Sequence, residues 1–296
     1  MVKTTDNFTI PEAESEACYS NLPFTIGIEF ETSTGNIPWL DLKENALVPL
    51  YDGSITGHEY VTLPLTMKQV PVIKRYLSLL NNFTTYDHNC SLHIHFGGFP
   101  IEFEKIEFLV KQWSNFQNEL LQYLPLWSYS VENYKDNHKA YNKKLSIRDL
   151  RSFIYRATRN EITSNADLYL PNQYDEDEER KWNVEGRYYN MNIMHLVSGK
   201  SHKTVEFRFL RPTYRYDEIK TYILILGGFL KWVMDNNTGK CSVEKIIEQF
   251  DNDTMTMLKH NMSVLKLLSK MQTNYDDYGG LNDDRKDVIL KLNPLK

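Results

Sequence analysis

Three short, apolar segments of this sequence each contain a pair of polar residues two positions apart. The pairs are Glu29 and Glu31 in FTIGIEFET, His93 and His95 in SLHIHF, and Glu206 and Arg208 in KTVEFRFL. Short alternating segments are typical of β-strands, in which successive side chains point to opposite faces of the sheet. Both members of each pair therefore share a face, and the sequence predicts a sheet with one unusually polar face.

The rest of the pattern predicts an α+β fold. Strands are predicted at residues 24–32, 58–63, 91–96, 187–196 and 203–210. Apolar residues at helical spacing predict helices at 67–80, 103–124 and 147–158, and from Tyr216 to the end of the chain. Because strands and helices do not alternate regularly, a largely antiparallel sheet is expected rather than a parallel one.

The 296 residues are predicted to form one large domain preceded by an arm. Residues 1–22 are polar and lack periodicity, which predicts a flexible N-terminal arm. No internal repeat or linker divides residues 23–296, so these are assigned to a single domain with a helical C-terminal part. The acidic run at 174–181 is interpreted as a solvated loop.

Charge and cysteine content limit the binding partners and the cellular compartment that are expected for this chain. A formal net charge of -5 argues against non-specific binding to nucleic acid, which needs an excess of basic residues. The three widely spaced cysteines do not suit a disulfide framework, so a reducing compartment, the cytoplasm, is expected. The sequence has neither the apolar run of a signal peptide near its start nor one that would span a membrane, so no membrane association is expected.

Each polar pair also has an ordinary structural explanation. Glu29 and Glu31 would suit a strand face exposed to water, a strand histidine is more often a hydrogen-bonded core residue, and Glu206 with Arg208 would form an ion pair. The repetition of such pairs in three apolar strands favours a shared site, since that many buried charges need a compensating cation.

The carboxylate and imidazole groups of these pairs indicate which cation would bind. Carboxylates with one or two imidazoles suit Mg²⁺ or Mn²⁺ better than structural zinc, and Mg²⁺ commonly binds carboxylates together with substrate phosphates. The sequence has no Walker A loop, kinase signature or glycine-rich dinucleotide fingerprint. Phosphoryl chemistry is therefore predicted, with any nucleotide held through metals, arginines and the sheet surface.

Five motifs resemble, in their order, those of the amidoligases, relatives of glutamine synthetase and glutamate-cysteine ligase. They are GIEFE (27–31), DGSITGHEYV (52–61), CSLHIH (90–95), RYYN (187–190) and TVEFR (204–208). The resemblance implies a glutamine-synthetase-like fold, with helices packed on one face of a largely antiparallel sheet. The concave face would bind ATP and two or more Mg²⁺ or Mn²⁺ ions. Two positions depart from the family pattern: Ser91 replaces a usual glycine, and Asp52 replaces a longer acid.

The resemblance also implies roles for individual residues. Three acids would bind the metal nearer the acceptor substrate: Glu31, Asp52 and Glu59. Three residues would bind the metal of the nucleotide: Glu29, His93 and Glu206. Phosphate contacts are implied for His95 and Arg208, and phosphate or substrate contacts for Arg187. The candidate catalytic residues are Arg208, Glu59 and Arg187.

The activity that these roles imply is an ATP-dependent carboxylate-amine ligase that works through an acyl phosphate. Its substrates would be a carboxylate, either a small molecule or a peptide, and an amine. Two alternatives remain open at this point. One is a zinc or iron metallohydrolase built on the H-x-H pair of His93 and His95. The other is a non-catalytic binding protein that has kept the ligase fold.

Overall fold

The structure is a computed structural model that describes residues 8–51, 55, 57–86, 90–124, 169–170, 184–185, 190–197 and 203–276. Two candidate site residues, Asp52 and Arg187, lie outside these residues. So do the predicted helix at 147–158 and the acidic run at 174–181. The account below concerns the described residues.

The central feature is a seven-stranded sheet in which every pairing is antiparallel. Its strands are β1 (Thr25–Glu31), β3 (Leu47–Leu50), β4 (Glu59–Thr62), β5 (Leu65–Thr66), β7 (Leu92–Gly97), β10 (Met191–Asn192) and β11 (Thr204–Leu210). The strand order is β10-β11-β7-β1-β4-β3, and β5 also pairs with β1. Two strand pairs lie outside this sheet: β2 (Thr34–Gly35) with β6 (Thr84–Thr85), and β8 (Tyr169–Leu170) with β9 (Val184–Glu185).

Seven α-helices accompany the sheet in the described part of the chain. They are α1 (Trp39–Glu44), α2 (Ile73–Phe83), α3 (Phe103–Leu120), α4 (Met194–Val197), α5 (Tyr216–Asp235), α6 (Val243–Ile247) and α7 (Asn252–Asp276). The prediction of an α+β fold with a largely antiparallel sheet is confirmed. No described helix is long and apolar enough to cross a membrane.

One face of the sheet is apolar and packs against helices. Phe207 of β11 contacts Trp113 of α3, with ring centroids 5.0 Å apart, and Trp113 contacts Phe229 of α5 at 5.3 Å. Gly227 allows α5 to approach closely, because a Cβ there would lie 3.1 Å from a ring atom of Phe96 in β7. The polar residues of the same strands are consequently left for the opposite face.

Two predicted elements begin or end differently from the sequence pattern. In the segment 67–80, Pro71 lies in a short 3-10 helix (Val70–Val72), and α2 begins at Ile73, consistent with proline's place in a first turn. The strand predicted at 187–196 is wrong in its second half: within the described residues 190–197, Met191–Asn192 is the strand and Met194–Val197 is helical. Ile193 and Leu196 are both buried three residues apart, which is a helical spacing.

Part of the predicted N-terminal arm is anchored to the rest of the chain. Tyr19 and Leu22 are buried in the core. The Glu16 carboxylate accepts hydrogen bonds from Lys74 of α2 at 2.7 Å, and from Lys220 and Tyr216 of α5 at 2.6 and 3.0 Å. The division into an arm and one domain stays a prediction, but residues 16–22 are held in place by these contacts.

Candidate functional site

The strand register brings the three polar pairs together on one face. Glu29 of β1 lies opposite His93 of β7, and His95 of β7 lies opposite Glu206 of β11. Directly opposite residues of antiparallel strands point to the same side. We call this side the polar face and define it by Glu29, Glu31, His93, His95, Glu206 and Arg208.

His93 is the most enclosed imidazole of the polar face. Its Nδ1 lies 2.8 Å from Oε2 of Glu29, and its Nε2 lies 2.7 Å from Oγ of Ser91. The same Nε2 is 3.6 Å from Oε1 of Glu31. Both ring nitrogens therefore have polar partners, and the ring joins the two carboxylates of the first strand.

His95 is held less completely. Its Nε2 lies 2.9 Å from Oε1 of Glu29 and 3.8 Å from Oε1 of Glu206. The 2.9 Å contact is an ion-pair contact that is poorly aligned for a hydrogen bond, and among the described residues this buried nitrogen has no other hydrogen-bond partner. Its other nitrogen lies 3.4 Å from Oγ1 of Thr204. The unpaired nitrogen points to the space between two carboxylates.

Glu206 is buried and shares its two oxygens between different donors. Arg208 Nη1 donates to Oε1 at 3.0 Å, and Asn192 Nδ2 donates to Oε2 at 2.6 Å. The Nε of Arg208 is buried and has no hydrogen-bond partner within the described part of the chain. The ion pair therefore uses only part of the guanidinium group.

The end of the polar face near β4 is acidic. Oε2 of Glu31 accepts hydrogen bonds from the backbone N of Ser91 at 2.6 Å and from its Oγ at 2.7 Å. Glu59 of β4 lies directly opposite Glu31 and is buried. Glu31 and Glu59 are thus placed side by side, as expected for residues that share one cation.

The electrostatics of the site favour charged forms of these side chains. Burial raises the pKa of Glu29, but His95 and His93 together hold that pKa well below its usual range. Burial also raises the pKa of Glu206, and Arg208 and His95 reverse the effect and lower it. Burial lowers the pKa of His95, but Glu206 and Glu29 raise it to about 9. In the absence of a metal, the imidazolium ions neutralise the carboxylates.

Three groups are placed to share one metal ion. Glu29, His95 and Glu206 each offer a ligand atom, and these atoms lie within 4.8 Å of one another. Two carboxylates and an imidazole suit a divalent cation such as Mg²⁺ or Mn²⁺. His93 lies against the same two carboxylates, 3.6 Å from Oε1 of Glu206. The separate roles assigned to His93 and His95 stay predictions.

Sequence reasoning missed two neighbours of Glu206 and the role of Ser91. Asn192 lies within a predicted strand, but its two-residue spacing from Asn190 gives no signal, because Asn190 bonds Trp113 and Gln117 of α3 instead of the polar face. His195, whose Nε2 lies 3.8 Å from Oε2 of Glu206, belongs to the unpredicted helix α4. No periodicity could have placed it there. Ser91 was noted only as a departure from a family pattern.

The fold and site define an α+β protein with a charged cluster of acids and imidazoles on one face of an antiparallel sheet. The family model described as "putative amidoligase enzyme" matches residues 10–229. The chain therefore belongs to this amidoligase family, and membership indicates a ligase. The match includes every residue of the polar face and ends within α5. A comparison with curated proteins finds no matching sequence.

Proposed function

We propose that the protein is an ATP-dependent amidoligase that joins a carboxylate to an amine through an acyl phosphate. ATP would bind on the polar face together with two or more Mg²⁺ or Mn²⁺ ions. The substrates would be a small-molecule or peptide carboxylate and an amine. Family membership supports the class of ligase, and the geometry of the polar face supports the nucleotide and the metals.

The observation that supports this proposal most is a pair of buried nitrogen atoms without hydrogen-bond partners in the described residues: Nε2 of His95 and Nε of Arg208. Leaving a group such as the Arg208 Nε unpaired costs about 1–3 kcal/mol, whereas the His95 nitrogen faces the Glu29 carboxylate at 2.9 Å and is poorly aligned rather than isolated. Both groups lie beside Glu206, whose Oε1 is 3.8 Å from the imidazole and 3.0 Å from the guanidinium. Ligand atoms that complete these contacts, such as a metal ion and phosphate oxygens, would remove the cost.

The residues present fit the proposed metals. Glu29, Glu206 and one of the two imidazoles would hold the metal of the nucleotide. Glu31 and Glu59 would hold the metal nearer the acceptor substrate, with Asp52, which lies outside the described residues, as a third acid. When bound, divalent ions offset the negative charge that develops on the phosphates.

The proposed reaction has two steps. An oxygen of the substrate carboxylate attacks the γ-phosphorus, the bond from that phosphorus to the bridging oxygen breaks, and ADP leaves. The amine nitrogen then attacks the acyl carbon, inorganic phosphate leaves, and the nitrogen loses a proton. Arg208 would donate hydrogen bonds to the transferring phosphoryl group, as cationic side chains commonly do in phosphoryl transfer. Its ion pair with Glu206 would orient the guanidinium for that role.

We also propose that the sheet is glutamine-synthetase-like. The support is the division of the sheet into two faces. Helices α3 and α5 pack on the apolar face, and the charged residues lie on the other face, which is the proposed site of ATP. A regular alternation of strands and helices, which a barrel metallohydrolase would need, is not seen in the described residues.

The test is ADP release from ATP and Mg²⁺ across pools of carboxylates and amines. We expect release that requires one acid and one amine together, that is lost in Glu29→Gln, and that persists in Glu44→Gln, an exposed acid of α1 used as a control. Zinc retained through dialysis, with no thermal shift on adding ATP, would favour a metallohydrolase instead. Binding of ATP and Mg²⁺ without turnover in any pool would favour a binding protein.

A further inference from the structure

Two buried carboxylates of the polar face each have one oxygen occupied by an uncharged side chain. Oε2 of Glu31 is held by Ser91 through both its backbone N at 2.6 Å and its Oγ at 2.7 Å. Oε2 of Glu206 is held by Asn192 at 2.6 Å. In both residues the other oxygen, Oε1, faces an imidazole: His93 lies 3.6 Å from each of them. Oε1 of Glu206 also accepts a hydrogen bond from Nη1 of Arg208 at 3.0 Å, so the groups that face this oxygen are cationic, whereas Oε2 is held by a neutral amide.

We infer that Ser91 and Asn192 are positioning residues that reserve one oxygen of each carboxylate and leave only the other oxygen for a cation. The inference rests on the proposed function, because it assumes that Glu31 and Glu206 bind divalent metals. It adds two residues to the site and a reason for its choice of metal. Neither residue would touch the metal itself.

The geometry around Asn192 is suited to such a role. The residue is completely buried and lies directly opposite Glu206 in the pairing of β10 with β11. Its amide therefore cannot turn away to solvent. His195 lies 3.8 Å from the same oxygen. Rotation of the carboxylate to present both oxygens to one ion would break the 2.6 Å hydrogen bond.

Ser91 holds its carboxylate in a similar way and also contacts an imidazole. Its hydroxyl donates to Glu31 and can accept from Nε2 of His93, which lies 2.7 Å away. One hydroxyl thus fixes both an acid and the orientation of a ring.

Carboxylates that offer a single oxygen discriminate between cations. Mg²⁺ requires near-octahedral coordination at short distances, whereas Ca²⁺ accepts more ligands and often takes both oxygens of one carboxylate. Mn²⁺ prefers the same carboxylate, carbonyl and water ligands as Mg²⁺. Removing the donors would free the second oxygen. We therefore expect the preference for Mn²⁺ over Ca²⁺ to weaken when Ser91 or Asn192 is replaced.

The experiment is calorimetric titration of the full metal-free chain with Mn²⁺ and, separately, with Ca²⁺, without nucleotide. Asn192→Ala should weaken Mn²⁺ binding by about 10- to 100-fold, the usual cost of losing such a partner, and weaken Ca²⁺ binding much less. Ser91→Ala should change the ratio in the same direction but by less, because the backbone N–H of residue 91 remains.

The matched control is Asn190→Ala. Asn190 is buried, just before β10, and its side chain bonds Trp113 and Gln117 of α3 at 2.9 Å rather than a carboxylate of the polar face. This variant should melt at a lower temperature and keep the ratio of Mn²⁺ to Ca²⁺ affinity. A change in the ratio of Mn²⁺ to Ca²⁺ affinity therefore indicates a positioning role, whereas a change in melting temperature alone indicates a general effect on stability.

Each result decides a different point. If the wild type binds Mn²⁺ and both Ser91→Ala and Asn192→Ala keep its affinity ratio, the positioning role is overturned and the proposed ligase is unaffected. If the wild type binds neither ion, with or without ATP, both proposals fail. If Asn192→Ala does not fold, Ser91→Ala alone decides, since it removes only a hydroxyl and leaves the buried amide in place.

Discussion

His93 contacts Glu29 across 2.8 Å, at the centre of the polar face. This contact changes the effect on stability that is expected when Glu29 or Glu31 is replaced. From spacing alone the two acids are like charges on one face, and removing one should relieve repulsion. In the structure each acid has an imidazole beside it, so removing a carboxylate leaves a buried imidazole without one of its counter-charges.

We expect Glu29→Gln to destabilise the metal-free protein by about 3 kcal/mol, because breaking one partner of a buried ion pair leaves an uncompensated charge. Urea unfolding in EDTA measures this change. The control Glu44→Gln, an exposed acid of α1, should change the free energy of unfolding by less than about 0.5 kcal/mol. A Glu29→Gln protein as stable as the wild type, or more stable, would show that repulsion between the acids dominates.

The anchor of the N-terminal segment predicts an acid-dependent loss of stability. Burial raises the pKa of Glu16, but hydrogen bonds from Lys220 and Lys74 lower it from 4.5 to about 2. A lowered pKa stabilises the folded state above the unfolded value, and this stabilisation is lost as the pH falls towards 2. Glu16→Gln should therefore lower stability by about 1 kcal/mol at neutral pH, a modest value because the pair is partly exposed to solvent.

The measurement for Glu16 is a series of melts of wild type and Glu16→Gln between pH 7 and pH 2. The gap between the two melting temperatures should stay constant above about pH 5 and close as the wild-type carboxylate is protonated. Glu14→Gln, an exposed neighbour, should match the wild type throughout. A gap that does not depend on pH would mean that Glu16 acts through packing rather than through its charge.

The sequence predicts the polar face well because the information is local. A period of two places Glu29 with Glu31 and His93 with His95, whatever the rest of the chain does. The register between strands is not local. The two-residue period does not determine that Glu29 lies opposite His93, or that His95 lies opposite Glu206. The pairing of charges, and with it the effect of each substitution, is therefore visible only in the structure.

The anchored segment at 16–22 and the helical turn at 194–197 are also hard to predict, because local periodicity carries little information about either. Residues 16–22 have no periodicity, and the partners of Glu16 in this segment, Lys74 and Lys220, are distant in sequence. The turn at Met194–Val197 follows a strand of only two residues, where alternation is too short to mark an end. The structure of both segments therefore depends on contacts between residues that are far apart in the sequence.

We expect ATP binding to require a divalent metal. His93, His95 and Arg208 offset the charges of Glu29 and Glu206, but Glu31 and Glu59 lie side by side as further acids and would repel a triphosphate unless cations bind between them. Calorimetry with ATP in excess Mg²⁺ and in EDTA measures the difference. Equal affinity under the two conditions would rule out a metal-bridged nucleotide, and ADP should show the same requirement if its phosphates bind at the same ions.

The two proposed roles of Arg208 give different results for one substitution. The structure contains the ion pair with Glu206, at 3.0 Å, but leaves the Nε atom of the guanidinium without a partner in the described residues. A residue that served only to neutralise Glu206 would be replaced well by lysine, which keeps the charge. A group that clamps a phosphoryl group needs the planar fork that lysine lacks.

We therefore expect Arg208→Lys to raise the barrier of the chemical step by about 3 kcal/mol, by analogy with the loss of one preorganised donor. Turnover should fall roughly a hundredfold, at about 1.4 kcal/mol per decade. The apparent affinity for ATP should change far less, because a contact made mainly in the transition state contributes little to ground-state binding. ADP-release kinetics and melts of the same preparation, at saturating Mg²⁺, measure all three quantities. Normal turnover with a melting temperature near that of the wild type would instead assign Arg208 to the ion pair alone, and Arg208→Met should then be clearly less stable than Arg208→Lys, since it leaves Glu206 without its cation.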